Sequence, residues 1–235
     1  MNIAIILAGG IGSRMKQNIP KQFIHIFDKP ILIYTLENFQ NHPLIDEIEV
    51  VCIDGWHDIV WAYAKQLGIS KLKWVISGGN TVQESIRNGV FNLEDYCTED
   101  DVIIIHDGIR PLVEMSVLTD VISKCQQFGN AVTSMPYNEQ IFVVTDEIST
   151  SQYIPRETLR KVATPQAYKF EKIDWAYHEA FERKIGIYGS SYTNTMMVDL
   201  GEKLYLAAGS DKNIKLTTKD DIEMFKAYLQ KERQD

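Results

Sequence analysis

Short, continuous apolar runs alternate along this chain with longer stretches of helical period. The apolar runs predict strands at 2–7, 47–53, 72–76, 102–105 and 130–135. Val102-Ile103-Ile104-Ile105 is apolar at every position, as a strand covered on both faces of a parallel sheet must be. The helical stretches predict helices at 31–41, 57–67, 81–93, 115–128, 170–183 and 218–231. Regular alternation of the two implies an α/β fold with a doubly wound, mostly parallel sheet, in a single domain over 1–235. The segment 137–163 breaks the rhythm. There Phe142-Val143-Val144 and Ser151-Gln152-Tyr153-Ile154 bracket the turn-forming pair Asp146-Glu147, which reads as a β-hairpin arm protruding from that domain.

The first strand empties into Ala8-Gly9-Gly10-Ile11-Gly12-Ser13-Arg14, and Pro20-Lys21-Gln22-Phe23 follows. Glycines let a backbone approach a ligand closely and turn its N–H groups toward anionic oxygens. With Arg14 and Lys21 to neutralise charge, this is the pattern of a polyphosphate cradle. It is not a Walker A loop, because Gly12 is followed by Ser13-Arg14 and not by Lys-Ser/Thr. Nor is it a dinucleotide fingerprint: the third glycine position falls on Met15, too bulky for that helix–strand contact. In doubly wound sheets ligands sit beyond the carboxyl ends of the strands, so motifs that follow strands can converge on one crevice.

The net charge is −8, which argues against general nucleic-acid binding and requires phosphate-binding cations to be concentrated locally. Three scattered cysteines, Cys52, Cys97 and Cys125, have neither metal-type spacing nor a disulfide framework. They fit a reducing cytoplasm. The apolar start is too short for a signal peptide and lacks a basic leader. No run approaches the roughly 20 apolar residues of a membrane span.

Five motifs occur in order: Leu7-Ala8-Gly9-Gly10 with Gly12, Arg14 and Lys21; Gly78-Gly79 with Ser85; His106-Asp107-Gly108-Ile109-Arg110-Pro111; Thr164-Pro165-Gln166; and Asn213-Ile214-Lys215-Leu216-Thr217. Together they resemble the cytidylyltransferases that act on methylerythritol phosphate or ribitol phosphate, and they span nearly the whole chain. The resemblance implies a Rossmann-like nucleotidyltransferase fold, CTP and an alcohol phosphate as substrates, Mg²⁺ as cofactor, and a homodimer formed through the arm. It implies that Leu7, Ala8, Gly9, Gly10, Gly12, Gly79, Asn80 and Ser85 hold CTP, with Asn80 standing where many relatives have Asp. Arg14, Lys21 and Lys215 would act on the triphosphate and the transferring phosphorus. Asp107, at the end of a strand, is placed to contact the alcohol-phosphate substrate and to hold Mg²⁺, which prefers oxygen ligands and bridges phosphates. Arg110 would either address the acceptor phosphate or bond locally to Asp107. His106 reads as a packed residue and not as a general base. Arg156, on the arm, would reach the acceptor phosphate in the neighbouring subunit. Thr217 and Thr218 would cap the last helix.

Departures from the methylerythritol pattern cluster on the acceptor side. Asn138-Glu139-Gln140 replaces an Arg-Asp-Thr, which puts Gln140 at an acceptor-binding position; Asn194 replaces an Asp after Thr193; and Lys212 takes an acidic position. Trp56, after Asp54-Gly55, is similar to the ribitol branch. The expected acceptor is therefore a polyol phosphate such as ribitol 5-phosphate, giving a CDP-alcohol for surface polymers such as teichoic acid or capsule. Methylerythritol phosphate, another pentitol phosphate, and a non-catalytic nucleotide-binding regulator remain as alternatives.

Overall fold

A computed structural model describes residues 1–10, 19–189 and 191–233. Its elements in chain order are β1 (Asn2–Ala8), β2 (His25–Ile26), β3 (Lys29–Pro30), α1 (Ile31–Asn41), β4 (Glu47–Cys52), α2 (His57–Gln66), β5 (Leu72–Ser77) and α3 (Val82–Asn92). There follow β6 (Val102–Asp107), α4 (Met115–Phe128), β7 (Asn130–Pro136), β8 (Ile141–Val143), β9 (Gln152–Ile154), β10 (Arg160–Lys169), α5 (Phe170–Arg183), α6 (Thr193–Asp199), β11 (Leu206–Ala208) and α7 (Lys219–Glu232). The expected strands and helices occupy these positions to within two residues at each end.

Seven strands form the central sheet in the order β11-β7-β10-β6-β1-β4-β5. All of its neighbouring pairs are parallel except those of β10, which runs antiparallel between β6 and β7. Alternate side chains of each central strand enter opposite cores. Ala4, Ile6 and Ala8 of β1 and Ile104 of β6 pack with α1, α2 and α4. Ile3, Ile5, Ile103 and Ile105 pack with α3, α5 and α6. A third cluster fixes α7 against α1 through Tyr34, Leu216, Ile222 and Phe225. Thr218 caps α7 by accepting from the Asp221 N–H, and the Asp221 carboxylate accepts from the Thr218 N–H in return.

The hairpin forms as β8 and β9, with Ile141 opposite Ile154 and Val143 opposite Gln152. Asp146 closes its turn by accepting from the N–H groups of Ile148 and Ser149. β10, α6 and β11 were not predicted from the sequence. β10 carries Pro165 in mid-sheet, a position proline normally avoids because it lacks a ladder donor. The strand accommodates it with a register shift between Ala163 and Gln166, and the Thr133 hydroxyl donates to the carbonyls of Ala163 and Pro165 across that gap.

Candidate active site

Strands β1 and β6 end level, with Leu7 in register with Asp107. This brings the start of the glycine loop beside the carboxylate. Gly108 is forced to be glycine here: a Cβ would lie 2.9 Å from both the Leu7 carbonyl and Leu32 Cδ1. Its own N–H donates to the Leu7 carbonyl, tying the two strand ends together.

Gln22 does the same for the loop. Its side chain is buried and donates to the carbonyls of Ala8 (2.6 Å) and Gly10 (3.1 Å). The 3₁₀ turn Lys21–Phe23 is thereby pinned beneath Gly9 and Gly10, with Lys21 at its start. Within Pro20-Lys21-Gln22-Phe23, a polar residue between Lys21 and the apolar Phe23 is a weak sequence signal for this bracing role. Among the described residues, a Cβ on Gly10 would meet nothing within 4 Å. Gly12 and Arg14 lie outside the described residues.

The Gly78-Gly79-Asn80 turn leads into α3, whose N-cap is Thr81. Ser85 is buried and commits its hydroxyl locally: it accepts from the Gly79 N–H at 3.0 Å and donates to the Thr81 carbonyl at 2.9 Å. Its oxygen would lie 3.5 Å from a Cβ on Gly9 and 2.9 Å from one on Gly78. Ser85 is thus the point where the ends of β1 and β5 meet α3. Gly79 is required by the helix itself, since a Cβ would fall 2.3 Å from Glu84 Cβ. Asn80 is exposed, and its N–H donates to Glu84 Oε2 at 2.7 Å.

Asp107 is the electrostatic centre. Its Oδ2 accepts from Arg110 Nε at 2.9 Å and its Oδ1 from Lys215 Nζ at 3.0 Å. The Thr164 hydroxyl accepts from the Asp107 N–H at 3.1 Å. Burial pushes this carboxyl's pKa up, but the charges of Lys215 and Arg110 outweigh it and hold the value down at about 2. Arg110 also donates to the Asn213 carbonyl at 2.7 Å, and the Asn213 side chain donates to the Thr164 carbonyl at 2.7 Å. One network therefore joins β6, β10 and the segment before α7. The local bond of Arg110 to Asp107 is formed.

His106 is fully buried against Phe39, with Nε2 donating to the Arg110 carbonyl at 3.1 Å. Burial lowers its pKa to about 4, so it is neutral at pH 7 and sealed from the crevice. Gln140 and Arg156 stand apart on the arm. Both are exposed, and Arg156 contacts Glu157 and the Asn138 carbonyl, each at 3.5 Å, not the Asp107 cluster. Thr193 and Asn194 are buried at the start of α6. Thr193 shares a hydrogen bond with the Tyr177 hydroxyl, which also donates to Gln83 of α3. A hollow of about 560 Å³ between α1, α4 and α7 contains none of these candidate residues.

A family model for 2-C-methyl-D-erythritol 4-phosphate cytidylyltransferase matches residues 2–231. A ribitol-5-phosphate cytidylyltransferase of Lacticaseibacillus paracasei is 62% identical over 229 residues, which cover 97% of this chain and 98% of that protein. A 2-C-methyl-D-erythritol 4-phosphate cytidylyltransferase of Clostridium acetobutylicum is 36% identical, over 98% of each chain. The crystal structure of 4-diphosphocytidyl-2C-methyl-D-erythritol synthase from Anaerococcus prevotii shares the fold, with a TM-score of 0.81 at 22% identity over 97% of this chain and 96% of that one. The motif order, the crevice they line and these matches agree: the chain belongs to the 2-C-methyl-D-erythritol 4-phosphate cytidylyltransferase family.

Proposed function

We propose that this enzyme transfers the cytidylyl group of CTP to ribitol 5-phosphate, giving a CDP-alcohol and pyrophosphate. The observation that carries this reading is the 62% identity, over nearly all of both chains, to a ribitol-5-phosphate cytidylyltransferase. The methylerythritol phosphate alternative is weaker, since the relative so named stands at 36% and Gln140 and Asn194 depart from its pattern. A non-catalytic regulator has no chemical need to keep Lys21, Asp107 and Lys215 together.

In the reaction an oxygen of the acceptor phosphate attacks the α-phosphorus of CTP. A new P–O bond forms, the bond to the α–β bridging oxygen breaks, and its electron pair leaves on pyrophosphate. The attacking phosphate is already ionised near neutrality, so no general base is needed, in keeping with the sealed position of His106. What remains is positioning and charge stabilisation. Leu7, Ala8, Gly9, Gly10 and the Gly79–Asn80 turn would hold the nucleotide, with Ser85 bracing that turn from below. Gly12 and Arg14 would complete the triphosphate cradle with Lys21. Lys215, held near the strand ends by Asp107, has only to exchange one anionic partner for another when phosphate arrives.

Mg²⁺ would enter with the triphosphate. It characteristically takes one or two carboxylates and fills its shell with phosphate oxygens and water. A single ionised Asp107 fits that pattern once Lys215 has turned to the phosphates and left Oδ1 open. The ion would neutralise charge on the phosphate oxygens.

The arm would reach a second subunit, with Gln140 and Arg156 completing that subunit's acceptor pocket. Exposed Phe142, Val144, Ile148 and Tyr153 give the hairpin an apolar surface suited to a partner. Among the described residues no helix is long and apolar enough to cross a membrane. The expected setting is the cytoplasm, and the expected use of the product is surface-polymer synthesis.

Pyrophosphate release from CTP and Mg²⁺ tests the reading, with ribitol, arabinitol, glycerol and methylerythritol phosphates offered separately. Ribitol 5-phosphate should give the highest kcat/KM. A preference for methylerythritol phosphate, or no release with any acceptor, would overturn it.

A further inference from the structure

We propose that Glu94, Asp174 and His178 form a binding site for one transition-metal dication of the zinc class. The site joins the loop after α3 to α5, at the end of α3 opposite the Gly79–Ser85 turn, and is separate from the crevice. His178 Nε2 lies 3.3 Å from Glu94 Oε1 and 3.6 Å from Asp174 Oδ1, and the three ligand atoms all fall within 4.8 Å of one another. In a tetrahedral zinc site with bonds of about 2.0–2.1 Å, neighbouring ligand atoms stand roughly 3.3–3.4 Å apart. Two of the three edges are already close to that length.

The ligands are also held. Asp174 and His178 are four residues apart on α5 and so share a helix face. The His178 ring stacks on Phe91 of α3, with centroids 4.4 Å apart and planes 20° from parallel. Phe91 and Phe181 both lie against the Arg87 guanidinium, which packs the aromatic pair in place. Asp174 Oδ1 is buried and has no hydrogen-bond partner among the described residues, although it points at His178 Nε2. An acceptor left in that state is costly unless a donor or a cation reaches it.

The electrostatics agree with the geometry. Two carboxylates drawn this close favour sharing a proton or taking a cation. One imidazole nitrogen and two carboxylate oxygens suit zinc and its neighbours; magnesium and calcium favour all-oxygen shells. The fourth position would be water. Bound there, the ion clamps α3 to α5 and stabilises the folded state.

Calorimetric titration of the chelator-stripped full chain with ZnCl₂ or MgCl₂ tests this, with thermal unfolding recorded alongside. One equivalent of Zn²⁺ should bind and raise the Tm, and excess Mg²⁺ should not displace it. His178→Ala and Asp174→Asn, checked by circular dichroism for intact folding, should each weaken uptake by at least about tenfold. His57→Ala, a change at a half-buried imidazole near Ser77 and Asp54, should leave uptake intact. No Zn²⁺ uptake by the unmodified chain overturns the proposal. So does uptake that survives His178→Ala, or that is lost in His57→Ala.

Discussion

Glu49 is fully buried in β4, on the face of the sheet covered by α3. Its Oε2 accepts from Asn92 Nδ2 at 2.6 Å, and its Oε1 has no partner among the described residues. Gly89, in the middle of α3, exists to make room for it: a Cβ there would fall 2.8 Å from Oε1. Burial pushes the carboxyl from 4.5 up to about 8, with the Asn92 bond pulling only partly the other way. The folded state therefore binds this proton more tightly than the unfolded chain does. Stability falls as pH rises from 4.5 to 8, and the penalty is complete above 8. Glu49→Gln keeps an oxygen for Asn92 and removes the ionisation. Between about pH 5 and 8 the unmodified chain should lose about 3 kcal/mol relative to the variant, at up to about 1.4 kcal/mol per pH unit. Urea unfolding of both proteins at four pH values measures the difference, from which the other titrating groups cancel. Curves that run parallel across the range would refute the buried, protonated state.

Asp107→Asn should cost about 2 kcal/mol of stability near pH 7, because the depressed carboxyl contributes above pH 3.8 and is lost only as pH falls through about 2. It should also raise the Mg²⁺ concentration needed for half-maximal turnover, and an unchanged metal dependence would move the ion to other ligands. Gln22→Ala removes both bonds that pin the loop, so the CTP KM should rise several-fold with little change in the acceptor KM; an unaltered CTP KM would remove Gln22 from the site. Arg156→Ala should raise the acceptor KM, and mixing it with a Lys215→Ala protein should restore activity in mixed dimers. Failure of that rescue would confine each site to one chain.

Much of the architecture was legible because the core strands are largely apolar and each long helix has one wet face. The strands β1, β4 and β6 and all the long helices announce themselves this way. β10 does not. Its outer half is polar and exposed, Pro165 interrupts its inner half, and its burial comes only from lying between β6 and β7. α6 is a seven-residue helix whose buried positions include Thr193 and Asn194, so its sequence carries little apolar signal. At the site, the motifs gave the cast but not the pairings. That Ser85 spends its hydroxyl on the turn, and that Arg110 bonds Asp107, depend on distances between segments far apart in the chain. Gln22 was hidden because a glutamine beside a lysine reads as surface.

The reversed strand at the middle of the sheet has a mechanical meaning. β10 leaves the arm at Arg160 and delivers Thr164 to the Asp107 N–H four residues later, about 13 Å along an extended chain. Hairpin and crevice are two ends of one stiff lever, laced to β7 along its length. A load on the hairpin is therefore carried along the same strand that seats the Asp107 backbone.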